Sequence, residues 1–193
     1  VTINLGDHEK LCEAAQKALD AAISVVKPEL VVSEIGKVVE ETITSYGFKP
    51  IVNLTGHGLG RYSLHHGLSI PNTGLFGTGV LRNDSVIAIE PFATTGSGSV
   101  HEATRAEIYQ VVGDAPVRSP TGRKILKKAD EMCGLPFSRR WLGIPKAELA
   151  IPTLLKQGNL YDYHVLSDVA GSFVAQFEHT VIVTEDEPIV TTL

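Results

Sequence analysis

Cysteine is nearly missing from this sequence: Cys12 and Cys133 are the only two among 193 residues. Two thiols so far apart exclude a disulfide framework and leave no close pair for a zinc knuckle. Reduced thiols, both on helices, in a cytoplasmic protein are the expectation. Positive charge is the second shortage, with 17 Lys and Arg against 22 Asp and Glu, a net charge of -5 and a pI near 5.8. Binding along a phosphate backbone calls for a concentrated basic surface, so nucleic acid is disfavoured as the main partner. Arg139-Arg140 and Lys124 to Lys128 are local basic clusters, and they read as solvated helix faces. No apolar run approaches the ~20 residues of a membrane span, no signal-peptide pattern is visible, and neither repeats nor low-complexity tracts occur. An initiator methionine is missing as well. The chain opens Val1-Thr2-Ile3-Asn4-Leu5-Gly6, alternating like the end of a strand, and reads as the middle of something longer.

What is present is an ordinary globular composition, 43% hydrophobic and 20% charged, at a length suited to one large domain or a domain with a modest insertion. Asp7 can cap a first helix whose apolar positions are Leu11, Ala15, Ala18, Leu19 and Ala22, reaching about Val26. Ser33 can cap a second, with Ile35, Val38, Val39 and Ile43 on one face and Gly47 as its stop. Ile51 to Leu54 reads as a short strand and Pro71 to Gly79 as a loop. Ser85 to Ile89 reads as a buried strand that stops at Glu90-Pro91. A strand around Ala106 to Val112 follows a glycine-serine loop. Beyond Ala115, Ser119-Pro120 opens a helix, Phe137, Trp141 and Leu142 look like packing anchors, and Pro145 to Gly158 supplies a short helix with Leu149, Ile151, Leu154 and Leu155 as its apolar residues. Tyr161 to Leu166 closes this segment as a strand, in an order that resembles a winged-helix element. One long strand over Ser172 to Val183 and a last one over Ile189 to Leu193 complete the chain.

Three of the seven histidines, His57, His65 and His66, fall within ten residues among glycines, beside Arg61 and Tyr62. Glycine allows close approach of backbone, and imidazole supplies a neutral nitrogen ligand or a proton carrier near pH 7. Two carboxylates, Glu90 and Glu178, fall where strands should be buried, and an ionised carboxylate there is costly unless a cation or metal pairs with it. Each has a plainer explanation: a strand end in solvent for Glu90, a half-exposed strand face for Glu178, a structural role for His57. Together, one imidazole and two carboxylates form an oxygen-rich ligand set suited to Mn, Fe, Co or Zn.

Asn53-Leu54-Thr55-Gly56-His57, His65 with Ser69-Ile70-Pro71, Ala88 to Thr94 around Glu90, and Ala175-Gln176-Phe177-Glu178-His179-Thr180 resemble type II methionine aminopeptidase. All four blocks occur in the family's order. The resemblance implies an α+β pita-bread fold, incomplete at the N-terminus. It also implies catalytic parts at 1–114 and 164–193 around a helical, winged-helix-like insertion at 115–163. It implies hydrolytic removal of the N-terminal methionine of nascent polypeptides by attack of a metal-bound hydroxide, with two divalent ions in the complete enzyme. His57 and Glu90 would bind one metal and Glu178 would bridge both, with Glu90 also shuttling the proton. His65 would hydrogen-bond the scissile peptide, while Leu64 and Tyr163 would shape the methionine pocket. No role is implied for His66.

The family's two aspartate ligands have no matching context here, since Asp7 is read as a helix cap and Asp20 as helical. The expectation is therefore a C-terminal portion of a larger aminopeptidase that holds at most one metal, weakly, on its own and pairs with its missing N-terminal segment. A non-catalytic relative of the same fold that binds ribosomes or RNA is the alternative, and a prolidase-like dipeptidase a second.

Overall fold

A computed structural model describes residues 2–75 and 77–192, apart from the side chains of residues 104 and 105. Val1 and Leu193, the outer ends of two expected strands, and Phe76, inside the expected loop, lie outside that description. The chain divides into two compact units, residues 1–101 with 167–193, and residues 102–166. The sequence reading placed the divisions at 114/115 and 163/164. Strands run over 101–111 and 160–167 where the sequence suggests 106–112 and 161–166, and they belong almost wholly to the second unit.

In the first unit, α1 (Glu9–Ser24) and α2 (Val32–Ser45) pack on each other. The small residues Ala14, Ala15, Ala18 and Ala22 of α1 are wholly buried and let the helices approach closely. Ile35, Val39 and Ile43 of α2 fill the same core, each isoleucine worth about 1.5–3 kcal/mol of burial. Neither helix starts where the expected caps lie. His8, not Asp7, is the N-cap of α1, with no side-chain hydrogen bond. Val31, not Ser33, is the N-cap of α2, because the first N–H of that helix, on Val32, is taken by the Gly79 carbonyl at 2.9 Å. Gly47 ends α2 as expected, with φ +85.

Residues 2–5 are not a strand, and Ile3 and Leu5 are exposed. Instead the Thr2 hydroxyl donates to the Gln176 carbonyl at 2.9 Å and accepts from its N–H at 2.8 Å. The strands that follow are β1 (Lys49–Pro50), β2 (Thr55–Leu59), β3 (Ser69–Pro71), β4 (Val86–Ile89) and β5 (Phe92–Thr94). The expected strand at Ile51 to Leu54 is interrupted, since the Asn53 amide bonds Val100 through both its oxygen and its nitrogen. The glycine-histidine stretch itself pairs, as β2, with β4. Gly56 makes this possible, because a Cβ there would collide with the Ala88 carbonyl.

The second unit comprises β6 (His101–Val111), α3 (Pro120–Asp130), β7 (Phe137–Ser138), a 3-10 turn (Arg139–Leu142), α4 (Ala147–Lys156) and β8 (Leu160–Ser167). Its sheet runs β7-β6-β8, and its core is built on Ile125, Phe137, Leu142, Ile151 and Leu154. Ser119 caps α3 by accepting from Gly122 N–H at 3.2 Å, with proline at the first helical position. Trp141 and Leu149, expected in the core, are 61% and 69% exposed. Arg139 beside Trp141 anchors this turn instead, through a forked bond to Glu107 at 3.2 Å. Cys133 lies past α3 at φ +55 rather than within a helix.

The chain returns to the first unit with β9 (Val174–Gln176), β10 (His179–Ile182) and β11 (Ile189–Val190). The single strand expected over Ser172 to Val183 is broken at Phe177-Glu178. One sheet is ordered β11-β10-β4-β2-β3 and a second β1-β5-β9, all pairs antiparallel where their register is defined. β4 therefore runs beside β10 in the first sheet, and after Glu90-Pro91 its continuation β5 runs beside β9 in the second. Both members of the pair change sheets at the same level. Proline has no N–H to continue a ladder, and Phe177 N–H bridges the gap to the Pro91 carbonyl at 3.4 Å.

Gly56→Ala is expected to lower the urea midpoint, by about 1–3 kcal/mol of overpacking. An unchanged midpoint would show that β2 can retreat from β4.

Candidate metal centre

The double strand break brings the two carboxylates together. Glu90 follows β4 and Glu178 precedes β10, with Ile89 opposite His179 and Phe92 opposite Gln176 framing the gap. From β2, His57 stands opposite Ala88, one strand over, and is 9% exposed. Its Nδ1 lies 3.1 Å from the Gly58 carbonyl. A carbonyl only accepts, so this contact places a ring proton on Nδ1 and turns Nε2 toward Glu90. Nε2 is 3.3 Å from Glu90 Oε1, both side chains being almost shielded from solvent.

Burial, and secondarily the charge of Glu178, pushes the Glu90 carboxyl up to about 7, against a hydrogen bond from Gln176 that lowers it. The Gln176 side-chain amide also donates to Glu178 Oε2 at 3.1 Å. One carboxamide thus serves both acids. Sequence reading missed it, although Gln176 shares a strand face with Glu178 by simple alternation.

His65 is exposed, and its ring meets that of His57 edge-on with centroids 4.4 Å apart. Partial burial first, then the neighbouring His57, lowers its pKa, favouring the neutral ring. A tight turn over Arg61-Tyr62, closed by reciprocal Gly60–Ser63 bonds of 3.0 Å, returns the chain toward it. Leu64, beside His65, is 38% exposed. His66 contributes its backbone, donating N–H to the Gly58 carbonyl at 2.8 Å. It also lines a cavity of about 690 Å³ with Leu68, Val80, Arg82 and Val86, a space that none of His57, His65, Glu90 or Glu178 reaches. Tyr163 belongs to the second unit, where its hydroxyl donates to Gln110 Oε1 at 2.6 Å and its ring meets Tyr161.

Among the described residues, no group of three or more His, Cys, Asp or Glu closes on a point that could hold a metal ion. His57 meets Glu90 at 3.3 Å, and Glu178 acts on Glu90 through its charge. The chemistry of the donors nevertheless fits a divalent cation. An imidazole nitrogen faces one carboxylate and a second carboxylate acts on the first, no Lys or Arg among the described residues pairs with either acid, and the repulsion that helps raise Glu90 is what a cation would relieve. Three donors are fewer than the full shell such an ion takes.

A model of metallopeptidase family M24 matches residues 1–185. The chain is 47% identical over 194 residues to a methionine aminopeptidase of Archaeoglobus fulgidus, covering 100% of this chain and 66% of that protein. It is 46% identical over 199 residues to one of Thermococcus onnurineus, covering 100% of this chain and 68% of that protein. The chain thus spans about two thirds of the curated relatives it matches. Among solved structures, a thermophilic Arx1 superposes with a TM-score of 0.77 at 20% identity, covering 98% of this chain and 60% of that one. A methionine aminopeptidase from Rickettsia prowazekii superposes at 0.60 and 21% identity, covering 96% and 52%.

A carboxyl with a raised folded-state pKa binds more protons folded than unfolded in the intervening range. Its stabilising contribution is complete below the unfolded value and is lost as pH rises through the folded one. In the metal-free protein, stability is expected to fall between pH 4.5 and about 7 by an amount on the order of 1–3 kcal/mol that Glu90→Gln removes. Identical pH slopes for wild type and variant in thermal denaturation would assign the loss to other groups.

Proposed function

The chain belongs to metallopeptidase family M24 and has its pita-bread fold, and on that premise we propose that it supplies part of the active site of a metal-dependent methionine aminopeptidase. The observation that carries this reading is the buried His57–Glu90 contact at the strand break where Glu178 joins it. His57, Glu90 and Glu178 are the residues that would hold divalent metal, of the Co, Mn, Fe or Zn class. Such an ion, when bound, supplies a Lewis acid and brings the pKa of water near neutrality.

The chain's own groups do the rest. Glu90 is assigned by resemblance to taking a proton from the attacking water and returning it to the departing amine. His65, kept neutral, has one N–H to donate to the scissile carbonyl oxygen, where charge develops during attack. Gln176 holds both acids in place by hydrogen bonds. Leu64, beside His65 in the first unit, is assigned to the methionine side chain by resemblance. The substrate is the N-terminus of a nascent polypeptide, and the compartment the cytoplasm.

In the protein carrying this chain, His57→Ala or Glu178→Ala is expected to abolish turnover of a Met-Gly or Met-Ala peptide. His65→Ala is expected to cut kcat about 100-fold or more, with a small change in KM. Near-wild-type turnover in either of the first two variants would refute the site.

A further inference from the structure

A third carboxylate, outside the candidate metal centre, fastens the strands that carry the first two. Asp168 is 7% exposed. Its Oδ2 accepts from the Thr94 hydroxyl at 2.8 Å and from Gly98 N–H at 3.4 Å. Its Oδ1 accepts from the Ser97 hydroxyl, from Ser97 N–H at 3.0 Å and from Val169 N–H at 2.6 Å. Every one of these partners is a donor, so the anion is the form that fits. The Ser97 hydroxyl above all, then Thr94 and the backbone N–H groups, hold its pKa well below the usual carboxylate range despite burial.

The position of this knot gives it significance. Thr94, wholly buried, ends β5, the strand that Glu90 leads into. Asp168 opens the turn that leads through Ser172, whose N–H and hydroxyl both bond the Val169 carbonyl, into β9, the strand that ends just before Glu178. Thr95 N–H donates to the Phe173 carbonyl at 3.1 Å, and Phe173 N–H to the Thr95 hydroxyl at 3.0 Å, so the two chains stay joined up to the knot. The β5–β9 ladder has only three residue pairs, Phe92 with Gln176, Ala93 with Ala175 and Thr94 with Val174. The ladder is short even with β1 beside β5, so bonds beyond its end add to the definition of its register. Gly96 passes so close to Asp168 that a Cβ there would collide with Oδ2 and stand 2.7 Å from Cγ. The loop is shaped around the carboxylate.

We propose that Asp168 is a positioning residue for the metal centre: by tying residues 94–98 to the turn that enters β9, it fixes the register of β5 against β9 and so the separation of Glu90 from Glu178. This rests on the reading that those two acids hold a divalent cation. Asparagine at 168 would turn an N–H₂ toward donors and undo the tie. Valine at 94 would keep the shape and remove one hydroxyl, whereas serine would keep the hydroxyl.

The test is the affinity for Co²⁺ alone, read from its visible absorption in the protein carrying this chain, with far-UV circular dichroism as the check on folding. Asp168→Asn and Thr94→Val are each expected to weaken Co²⁺ binding about 10-fold or more while remaining folded, with Thr94→Ser close to wild type. If Asp168→Asn does not fold, the Thr94 pair decides alone. Affinity within about twofold of wild type in Thr94→Val, or an equal loss in Thr94→Ser, overturns the proposal. Glu178→Ala is the control. If it leaves Co²⁺ binding unchanged, the underlying metal reading fails; if it abolishes binding while the Asp168 and Thr94 variants bind normally, the positioning role alone fails.

Discussion

Two antiparallel strands that leave one sheet and enter another at the same level are the constraint on which the site depends. Glu90 and Glu178 stand at that level because β4 and β10 pair below it and β5 and β9 pair above it. Neither acid is held by the core directly. Each is held by the residues on both sides of it, so the distance between them is a property of two ladders. Burying two carboxylates side by side is unfavourable in itself, which is why Glu90 is pushed toward neutrality. Helices α1 and α2 supply the opposing stabilisation, by covering the apolar faces of Ile87, Ile89 and Val181 with a layer of small and branched residues.

The electrostatics divide the acids of the first unit into two kinds. Asp168 is buried among five donors and is stable as an anion. Glu90 is buried beside another acid and an imidazole nitrogen, with a single carboxamide to help it. The first arrangement is complete as it stands and acts as structure. The second lacks a positive charge, and a divalent cation is the chemistry that completes it. The satisfied acid stands at one end of the β5–β9 ladder and the unsatisfied pair at the other.

Much of this was legible in the residues. The apolar run ending at Glu90-Pro91, the capped start of α3 and the glycine stop of α2 follow from local chemistry that tertiary contacts leave unchanged. His57, Glu90 and Glu178 stand out in the sequence because ionisable groups in strand-like surroundings need a reason. What the sequence concealed depended on contacts distant along the chain. Alternation ran smoothly through Ser172 to Val183, and nothing local marked the break at Phe177-Glu178, which exists because Glu90-Pro91 interrupts the partner strand. Trp141 is large and apolar yet exposed, since Arg139 and Glu107 hold its turn. Nothing local marks Asp168, since four of its five donors lie 70 to 74 positions upstream.

The central claim is that His57, Glu90 and Glu178 share one cation at the strand break. An anomalous difference map from crystals of the protein carrying this chain, grown with Mn²⁺ or Co²⁺, tests it most directly. The account predicts a peak within about 2.0–2.3 Å of His57 Nε2 and of a carboxylate oxygen from each of Glu90 and Glu178. A well-diffracting, metal-saturated crystal with no peak between those three side chains would contradict it.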